Sequence, residues 1–262
     1  MKKFFILMTL LLVTAVASAK GPILLQGAMD MEVDTFVEKL ENVKEETFNG
    51  YTFWTGKIDG QEVVVSRTEV GLVNATASTI LGIQKYNPSV IINQGTSGGH
   101  HPDLHTFDIV VGRSTFNMGA YRSQLTPKGK GIDTENWDFI PFPTTVRVDG
   151  EKVVHENFYG DEKLIETALN TAYTNGKLVE GVIGSADQWN RELDRINYLH
   201  ETFDTSVEEM ETVAVAQMAE VYNIPFVGIR VLSNTDVHGE EFNPKSAVYC
   251  QEFVMDVVKN IE

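Results

Sequence analysis

Six short and almost uninterrupted runs of apolar residues constrain the fold of this chain more than any other feature. Strands that are buried on both faces have this pattern, whereas strands with one solvated face alternate apolar and polar residues. We therefore predict a buried strand at each run. The runs are ILLQGAM (residues 23–29), EVVVSRT (62–68), SVIINQG (89–95), DIVVGRS (108–114), LVEGVIGS (178–185) and FVGIRVL (226–232).

Helical periodicity separates these runs, because apolar residues recur there at three- and four-residue spacing. Strands that alternate with helices predict an α/β fold, with three α/β/α layers around a central mixed sheet. The Asn49-Gly50 pair predicts a tight hairpin turn. The predicted helical stretches are residues 33–40, 73–85, 164–172 and 247–261.

The first residues have the features of a secretory signal peptide. Lys2 and Lys3 precede an apolar run that is short for a membrane span, and residues 17–19 (ASA) form a small-residue cleavage site. We predict a signal peptide over residues 1–19, export to the periplasm or the medium, and no membrane contact after cleavage. The remaining residues, 20–262, predict a single domain.

The composition narrows the range of partners. The chain has 37 acidic and 21 basic residues, a formal net charge of −16, and no basic cluster. Such a surface repels phosphate backbones, so we do not expect the protein to bind nucleic acid. Cys250 is the only cysteine, so no intrachain disulfide can form, and its helical apolar context predicts a small core residue.

Residues 116–154 differ from the rest of the chain. This insert combines aromatic residues and prolines with little periodicity. Long irregular segments inside compact domains are usually functional or disordered, and aromatic residues argue against disorder. We predict a lid or a subunit contact.

The segment over residues 207–234 carries the strongest functional signal. Glu209 and Glu211 flank Met210 just before a helical pattern, and the following apolar strand contains Arg230. A cation in a buried strand needs a partner or a ligand. Two acids around a thioether predict a sugar held over an apolar floor at the ends of the strands. The alternative is that both acids only favour the start of the helix electrostatically.

This segment, EMETVAVAQMAEVYNIPFVGIRVLS (209–233), resembles the ribose- and base-binding segment of the 5′-methylthioadenosine/S-adenosylhomocysteine nucleosidases, which belong to the purine nucleoside phosphorylase superfamily. Three further segments resemble that family in the same order. The resemblance implies a nucleoside phosphorylase-like fold, hydrolysis of the N-glycosidic bond of a purine nucleoside, no cofactor, and a homodimer. The three segments are GAMDMEV (27–33), INQGTSGGHHPDLHTFDIVVG (92–112) and GSADQWN (184–190).

On the sugar side, the resemblance implies that Glu32 is the acid/base that deprotonates the attacking water. From the sequence alone, Glu32 could equally be a solvated acid at a helix start. The resemblance also assigns Glu211 to the ribose hydroxyls. The other positions it implies are Met210 and Glu209 at the ribose, and Arg230, Thr96, Val70, Ala28 and Phe242 around the water and the 5′ region.

On the base side, the resemblance implies Trp189, Asn190, Ser233, Gly98 and Ser97. The chain departs from the family at Asn234, where an Asp protonates purine N7 as the bond breaks. An amide cannot deliver that proton. Three explanations stay open: Asn234 selects 6-oxopurines, with hydrolysis or phosphorolysis; Asp236 or Asp187 replaces the missing acid; or the protein is a catalytically weak exported nucleoside-binding or storage protein.

The turn GAMDME bears on the nucleophile. It carries Asp30 and Glu32 and no cation, where phosphorylases of the superfamily carry an arginine. Two acids would repel phosphate, so we expect water to attack. His100, His101 and His105 have a metal-like spacing, but no acid ligand is clearly spaced with them, and no metal site is predicted.

Overall fold

The computed structural model describes residues 21–148 and 150–261. The predicted signal peptide lies outside the described residues. The strands are β1 (Ile23–Gly27), β2 (Glu41–Phe48), β3 (Tyr51–Ile58), β4 (Gln61–Arg67), β5 (Val90–Gly99), β6 (Ile109–Asn117), β7 (Tyr121–Ser123), β8 (Trp137–Phe139), β9 (Thr145–Val148), β10 (Glu151–Val154), β11 (Phe158–Tyr159), β12 (Leu178–Ser185), β13 (Thr205–Glu209) and β14 (Phe226–Asn234). The helices are α1 (Asp30–Lys39), α2 (Leu72–Tyr86), α3 (Glu162–Leu169), α4 (Leu193–Phe203), α5 (Thr212–Tyr222) and α6 (Lys245–Lys259), with one 3₁₀ turn at Phe142–Thr144.

A mixed sheet of ten strands forms the centre of the described chain. Its order is β11-β6-β12-β13-β5-β1-β4-β3-β2, and β14 pairs with both β5 and β6. β1 runs parallel to β4 and β5, and β14 runs parallel to β5 but antiparallel to β6. All six predicted strands are present, and the central mixed sheet is confirmed.

Both faces of the sheet are covered by helices. In β1, Leu24 packs into one core and its neighbour Leu25 into the other, and Ile91 and Ile92 of β5 do the same. Helices α1, α3 and α6 contribute to one of these cores, and α2 and α5 contribute to the other. Burial on both faces explains why the strands have continuous apolar sequences, and it confirms the three-layer prediction.

Several elements were not anticipated from the sequence, among them β13 and α4. Strand β13 has the sequence TSVEE and is buried along its whole length, and α4 precedes it. As a consequence, Glu209 ends a strand, whereas the sequence predicted it at a helix start. Glu211 is the residue that caps the N-terminus of α5.

The insert over residues 116–154 is partly anchored to the domain. Its first residues complete β6, and the rest contains the hairpins β7–β8 and β9–β10. The Phe116 ring lies 5.2 Å from the Phe203 ring, and the Arg195 guanidinium lies 4.1 Å from the centre of the Trp137 ring. The insert therefore packs on α4, while its role as a lid or subunit contact stays a prediction.

The structure confirms the predictions for the tight turn and for Cys250. Asn49 and Gly50 have φ values of 50° and 90° and join Phe48 to its cross-strand partner Tyr51, which confirms the tight turn. Cys250 is fully buried in α6, as predicted. In the described part of the chain, none of the helices has the length and apolar character needed to span a bilayer.

Candidate active site

The C-terminal ends of three strands meet at the glycine-containing end of β5. In the strand register, Gly98 at the end of β5 lies opposite Glu208 of β13 and also opposite Asn234 of β14. Strand β12 brings Ser185 opposite Glu209. The candidate residues therefore converge from distant segments at strand ends, where open α/β sheets bind their ligands.

Glu32 is held in a fixed orientation in the first turn of α1. Its Oε2 accepts hydrogen bonds from the backbone N–H groups of Ala28 at 2.9 Å and Met29 at 3.1 Å. Its Oε1 accepts from the backbone N–H and the hydroxyl of Thr96 at 2.7 and 2.8 Å. Because the residue is only 3% exposed, the interpretation of Glu32 as a solvated acid is wrong. These four hydrogen bonds fix the position of the Glu32 carboxylate.

Gly95 makes this arrangement possible. A Cβ atom built on Gly95 would lie 2.8 Å from Glu32 Oε1, closer than a real Cβ contact. Strand β5 can therefore bring Thr96 against the Glu32 carboxylate only because the preceding residue has no side chain.

Glu211 is a buried carboxyl group with too few protein donors for its charged form. Its Oε1 accepts one hydrogen bond, from the backbone N–H of Gly71 at 2.9 Å. Burial, followed by the nearby charge of Glu209, raises the pKa of Glu211 from 4.5 to about 8, although Arg230 opposes this shift. Hydroxyl groups of a bound ribose would supply the missing donors.

Glu209 lies beneath Glu211 and is saturated with donors. Its Oε2 accepts from Arg230 Nε at 3.0 Å, from Arg230 Nη2 at 2.5 Å, and from the Thr212 hydroxyl at 2.8 Å. Burial acts to raise the pKa of Glu209, but the Arg230 charge and the Ser185 hydroxyl hold it below its ordinary value. The structure thus brings Glu209 to Arg230 and places it as a support for Glu211, the carboxyl group predicted to bind the ribose. Glu209 also accepts from the backbone N–H of Glu211 and Thr212 at the start of α5, as the helix-start alternative expects.

Arg230 is 1% exposed and stands behind the sugar side. Its Nη2 donates to Asn93 Oδ1 at 2.5 Å and lies 3.9 Å from Glu211 Oε2. The Arg230 guanidinium neutralises the charge of Glu209, and its own positive charge acts to lower the pKa of Glu211. Arg230 therefore contacts the carboxylates, and we expect it to influence the attacking water only through them.

The remaining sugar-side residues surround this centre. Met210 is half-buried next to the two acids, and Ala28 is buried beside Glu32. Val70 and Phe242 are 46% and 44% exposed. Each directly precedes a residue whose backbone N–H donates to a site residue, Gly71 to Glu211 and Asn243 to the carbonyl of Ser233.

The base-side residues form a floor and a loop. The Ser97 hydroxyl donates to the backbone carbonyl of Val231 at 3.0 Å, and the Ser233 hydroxyl lies 3.1 Å from the carbonyl of Ser97. These bonds tie β5 to β14 under Gly98. Trp189, in the loop after β12, is 62% exposed, so its ring is free to cover a base.

Asn234 faces the same floor, and the acids proposed to replace it are engaged elsewhere. Its Nδ2 lies 3.6 Å from a Cβ built on Gly98. Asp236 forms an ion pair with Arg191 at 2.8 Å, and Asp187 accepts from the backbone N–H of Leu72 at 2.8 Å. Both carboxylates are therefore already occupied by protein donors.

Sequence reasoning missed Glu208. It is 5% exposed, and its carboxylate accepts from the backbone N–H of Asn190 at 2.8 Å and from Asn190 Nδ2 at 2.6 Å. His100 Nε2 lies 3.2 Å from the same carboxylate. The available signal was an acid inside TSVEE, but this segment was not recognised as a strand.

The three histidines with metal-like spacing point to different partners. His100 faces Glu208, and the His101 ring packs edge-on against that of His200 at 4.7 Å. His105 bonds Glu240 at 2.7 Å. In the ranges 21–148 and 150–261, no group of three or more metal-ligating side chains converges on one point.

Two proteins are similar to this chain in sequence, and one crystal structure is similar to it in fold. A nucleosidase of Bacillus thuringiensis subsp. konkukian, named 5′-methylthioadenosine/S-adenosylhomocysteine nucleosidase, is 28% identical over 244 residues, covering 90% of this chain and 97% of its own. The protein of the same name from Bacillus cereus (strain B4264) is 29% identical over the same coverage. The crystal structure of that nucleosidase from Neisseria meningitidis, in complex with methylthio-immucillin-A, has a TM-score of 0.73 and 25% identity, and the match covers 92% of this chain and 100% of that chain.

The family model described as Phosphorylase superfamily matches residues 22–260. That range includes every residue of the candidate site and the whole central sheet. The chain belongs to the Phosphorylase superfamily.

Proposed function

We propose that this protein is a purine nucleoside N-ribohydrolase that releases the free base. The observation that carries the proposal is the Glu32 carboxylate, which four donors fix beside Thr96 on the sugar side of the site. Glu32 takes a proton from the attacking water, while Glu211 binds the ribose hydroxyls and Met210 packs on the sugar. As the bond to the base breaks, positive charge develops on the ribose, and nearby carboxylates stabilise it, as in glycoside hydrolysis generally. The departing base takes up a proton from solvent, and Glu32 returns to solvent the proton that it took from the attacking water.

The names of the relatives indicate which nucleosides to test first. Both Bacillus relatives are named for 5′-methylthioadenosine and S-adenosylhomocysteine, and both match almost the full chain. We therefore take 5′-thio-substituted purine nucleosides as the first substrates, with the exposed Val70 and Phe242 as candidates to contact the 5′ group.

Water is favoured over phosphate as the nucleophile. The turn before α1 does have a cation nearby, Arg67, but it forms ion pairs with both Asp30 and Glu69. A positive charge offset by two carboxylates makes a weak phosphate cradle.

One experiment tests the proposal. Purified mature protein is incubated with 5′-methylthioadenosine, S-adenosylhomocysteine, adenosine and inosine, with and without phosphate, and free base is quantified. Release of base without phosphate supports hydrolysis, and strict dependence on phosphate would identify a phosphorylase. If no nucleoside releases base but purines raise the melting temperature, the protein is an exported binding or storage protein.

We also propose that the protein is exported and forms a homodimer. The export proposal rests on the N-terminal sequence, and fractionation of cells that produce the full-length chain tests it. The dimer proposal is supported by large apolar side chains that are exposed on the surface, among them Val73 at 78% and Phe142 at 79%. Sedimentation that gives only a monomer at micromolar concentration would contradict it.

A further inference from the structure

The start of helix α2 is bound by two carboxylates that come from different segments. The backbone N–H of Gly71 donates to Glu211 Oε1 at 2.9 Å, and the next backbone N–H, that of Leu72, donates to Asp187 Oδ1 at 2.8 Å. Glu211 is the carboxyl group assigned to the ribose. Asp187 lies in the loop after β12 (residues 186–192) and has no role in the proposed reaction. Two consecutive amides therefore connect the ribose site to this loop.

Asp187 supplies an acceptor and a negative charge that α2 lacks. The first turn of α2, LVNA (72–75), contains no acidic residue, and its N-cap residue is Gly71, which has no side chain. Helix N-termini are stabilised by side-chain acceptors and by negative charge. Because a carboxylate from another segment takes this place, the position of the first residues of α2 depends on Asp187.

The conformation of Gly71 fits this double contact. Its φ is 101°, which L side chains rarely adopt, and a Cβ atom built on it would lie 3.0 Å from Asp187 Oδ1. Because glycine has no side chain, its backbone can lie against Asp187 while its own N–H donates to Glu211.

Asp187 and Glu211 also extend from the same rigid part of the fold. The backbone N–H of Ala186 donates to the carbonyl of Glu209 at 3.1 Å, and the Ser185 hydroxyl accepts from the first turn of α5 at 3.0 Å. The ends of β12 and β13 and the start of α5 are thereby joined, and Glu211 caps that helix. The start of α2 is held against this frame at two points.

We infer that Asp187 is a positioning residue for ribose recognition. It holds the start of α2 so that the Gly71 N–H fixes the orientation of the Glu211 carboxyl group towards the ribose hydroxyls. Without Asp187, the start of α2 would be held by Glu211 alone, and amide and carboxyl group would move together. The inference rests on the proposed function and deepens it, since it gives a loop residue a part in distinguishing ribonucleosides from 2′-deoxyribonucleosides.

Matched substrate pairs measure this effect. Inosine is compared with 2′-deoxyinosine, and adenosine with 2′-deoxyadenosine, and the ribo-to-deoxy ratio of kcat/KM is determined for each variant. The greater lability of the deoxynucleosides cancels when this ratio is compared between variants. Asp187→Ala should lower the ratio by about 3- to 10-fold, the factor expected for the loss of one hydrogen bond. Asp187→Asn retains an oxygen that can accept from Leu72 and should retain most of the ratio.

Asp161→Ala is the matched control. Asp161 caps α3 by accepting from the backbone N–H groups of Lys163 and Leu164 at 3.0 and 3.1 Å. Its own N–H bonds the carbonyl of Phe226, at the end of β14 that is remote from the site. The variant therefore also loses a helix cap, but it should leave the ribo-to-deoxy ratio unchanged.

A double-mutant cycle tests the same connection without any ligand. Asp187→Ala and Glu211→Gln act on adjacent amides, so their effects on the free energy of unfolding should not be additive. The effects of Asp161→Ala and Glu211→Gln should be additive, because these residues lie on separate elements. Additive effects for the first pair would overturn the inference.

Three kinetic outcomes would also overturn it. If Asp187→Ala slows both members of a pair equally, Asp187 only stabilises the loop and α2. If Asp161→Ala lowers the ratio as much, general destabilisation is the cause. If the unmodified protein does not distinguish the members of a pair, Glu211 does not bind the ribose hydroxyls. If no nucleoside is cleaved at all, the proposed function fails, and the double-mutant cycle still decides whether Asp187 acts on Glu211.

Discussion

At the scale of single residues, the three buried carboxyl groups on the sugar side differ in their hydrogen-bond partners. Glu32 has four donors, Glu209 is paired with Arg230, and Glu211 has a single backbone donor. The resemblance implies a role for each of these acids, but only the structure shows which donors each carboxylate accepts from. Glu209 is a support, and Glu211 is left available for a ligand.

Replacement of Glu32 by Gln should abolish turnover and leave binding. The amide retains the shape of the side chain but cannot accept the proton of water, and general base catalysis contributes about 10²–10⁴-fold. We expect kcat to fall by at least roughly 100-fold, measured as release of base. Binding of a nucleoside, followed by calorimetry, should persist. Turnover near that of the unmodified protein would remove Glu32 from the reaction.

The environment of Glu211 predicts a pH dependence of stability. Its pKa in the folded protein, about 8, lies above the ordinary 4.5, so folding takes up a proton between these pH values. The contribution of this group to the free energy of unfolding is therefore full below pH 4.5 and is lost as the pH rises towards 8.

Glu211→Gln removes this titration. The free energy of unfolding of the variant, relative to that of the unmodified protein, should increase by at least about 1 kcal/mol from pH 5 to pH 9, since one pKa unit corresponds to about 1.4 kcal/mol. The difference in melting temperature between the two proteins should rise in the same direction. Glu192 is an exposed acid that caps α4, so Glu192→Gln is the control and should show no such trend. A difference that does not change with pH would show that Glu211 titrates normally.

At the scale of elements, the continuous apolar strands were predictable and the short polar one was not. Hydrophobic runs located β1, β4, β5, β6, β12 and β14, because burial on both faces leaves a clear pattern. Strand β13 has one strongly apolar residue, Val207, and its acids are buried only because Arg230 and Asn190 pair with them. Those partners lie far away or in a loop, so no local pattern reveals them. Glu208 was missed for this reason.

The close contact between β5 and α1 gives a prediction at this scale. Gly95→Ala would place a methyl group 2.8 Å from Glu32 Oε1, so either the Glu32 carboxylate leaves its position beside Thr96 or β5 and α1 move apart. Overpacking of this kind costs about 1–3 kcal/mol of stability. It would also disturb the Thr96 bonds that orient Glu32. We expect a lower melting temperature and a reduced kcat. Normal values for both would show that the contact relaxes freely.

At the scale of the whole molecule, the superfamily fold brings distant segments to one site, and the remaining question is the reaction. The fold could be predicted because four motifs occur in order across the chain. The position of Glu208 could not, because it depends on how three strands meet at Gly98. Hydrolysis is the central claim, and Asp30 and Glu69 around Arg67 support it.

Cleavage in water labelled with heavy oxygen, in phosphate buffer, tests that claim most directly. Mass spectrometry of the sugar product identifies the nucleophile, because the attacking oxygen stays on the anomeric carbon. If water is the nucleophile, as we propose, the product is free sugar that carries one heavy oxygen from water. A sugar 1-phosphate without the label would contradict it and would identify a phosphorylase.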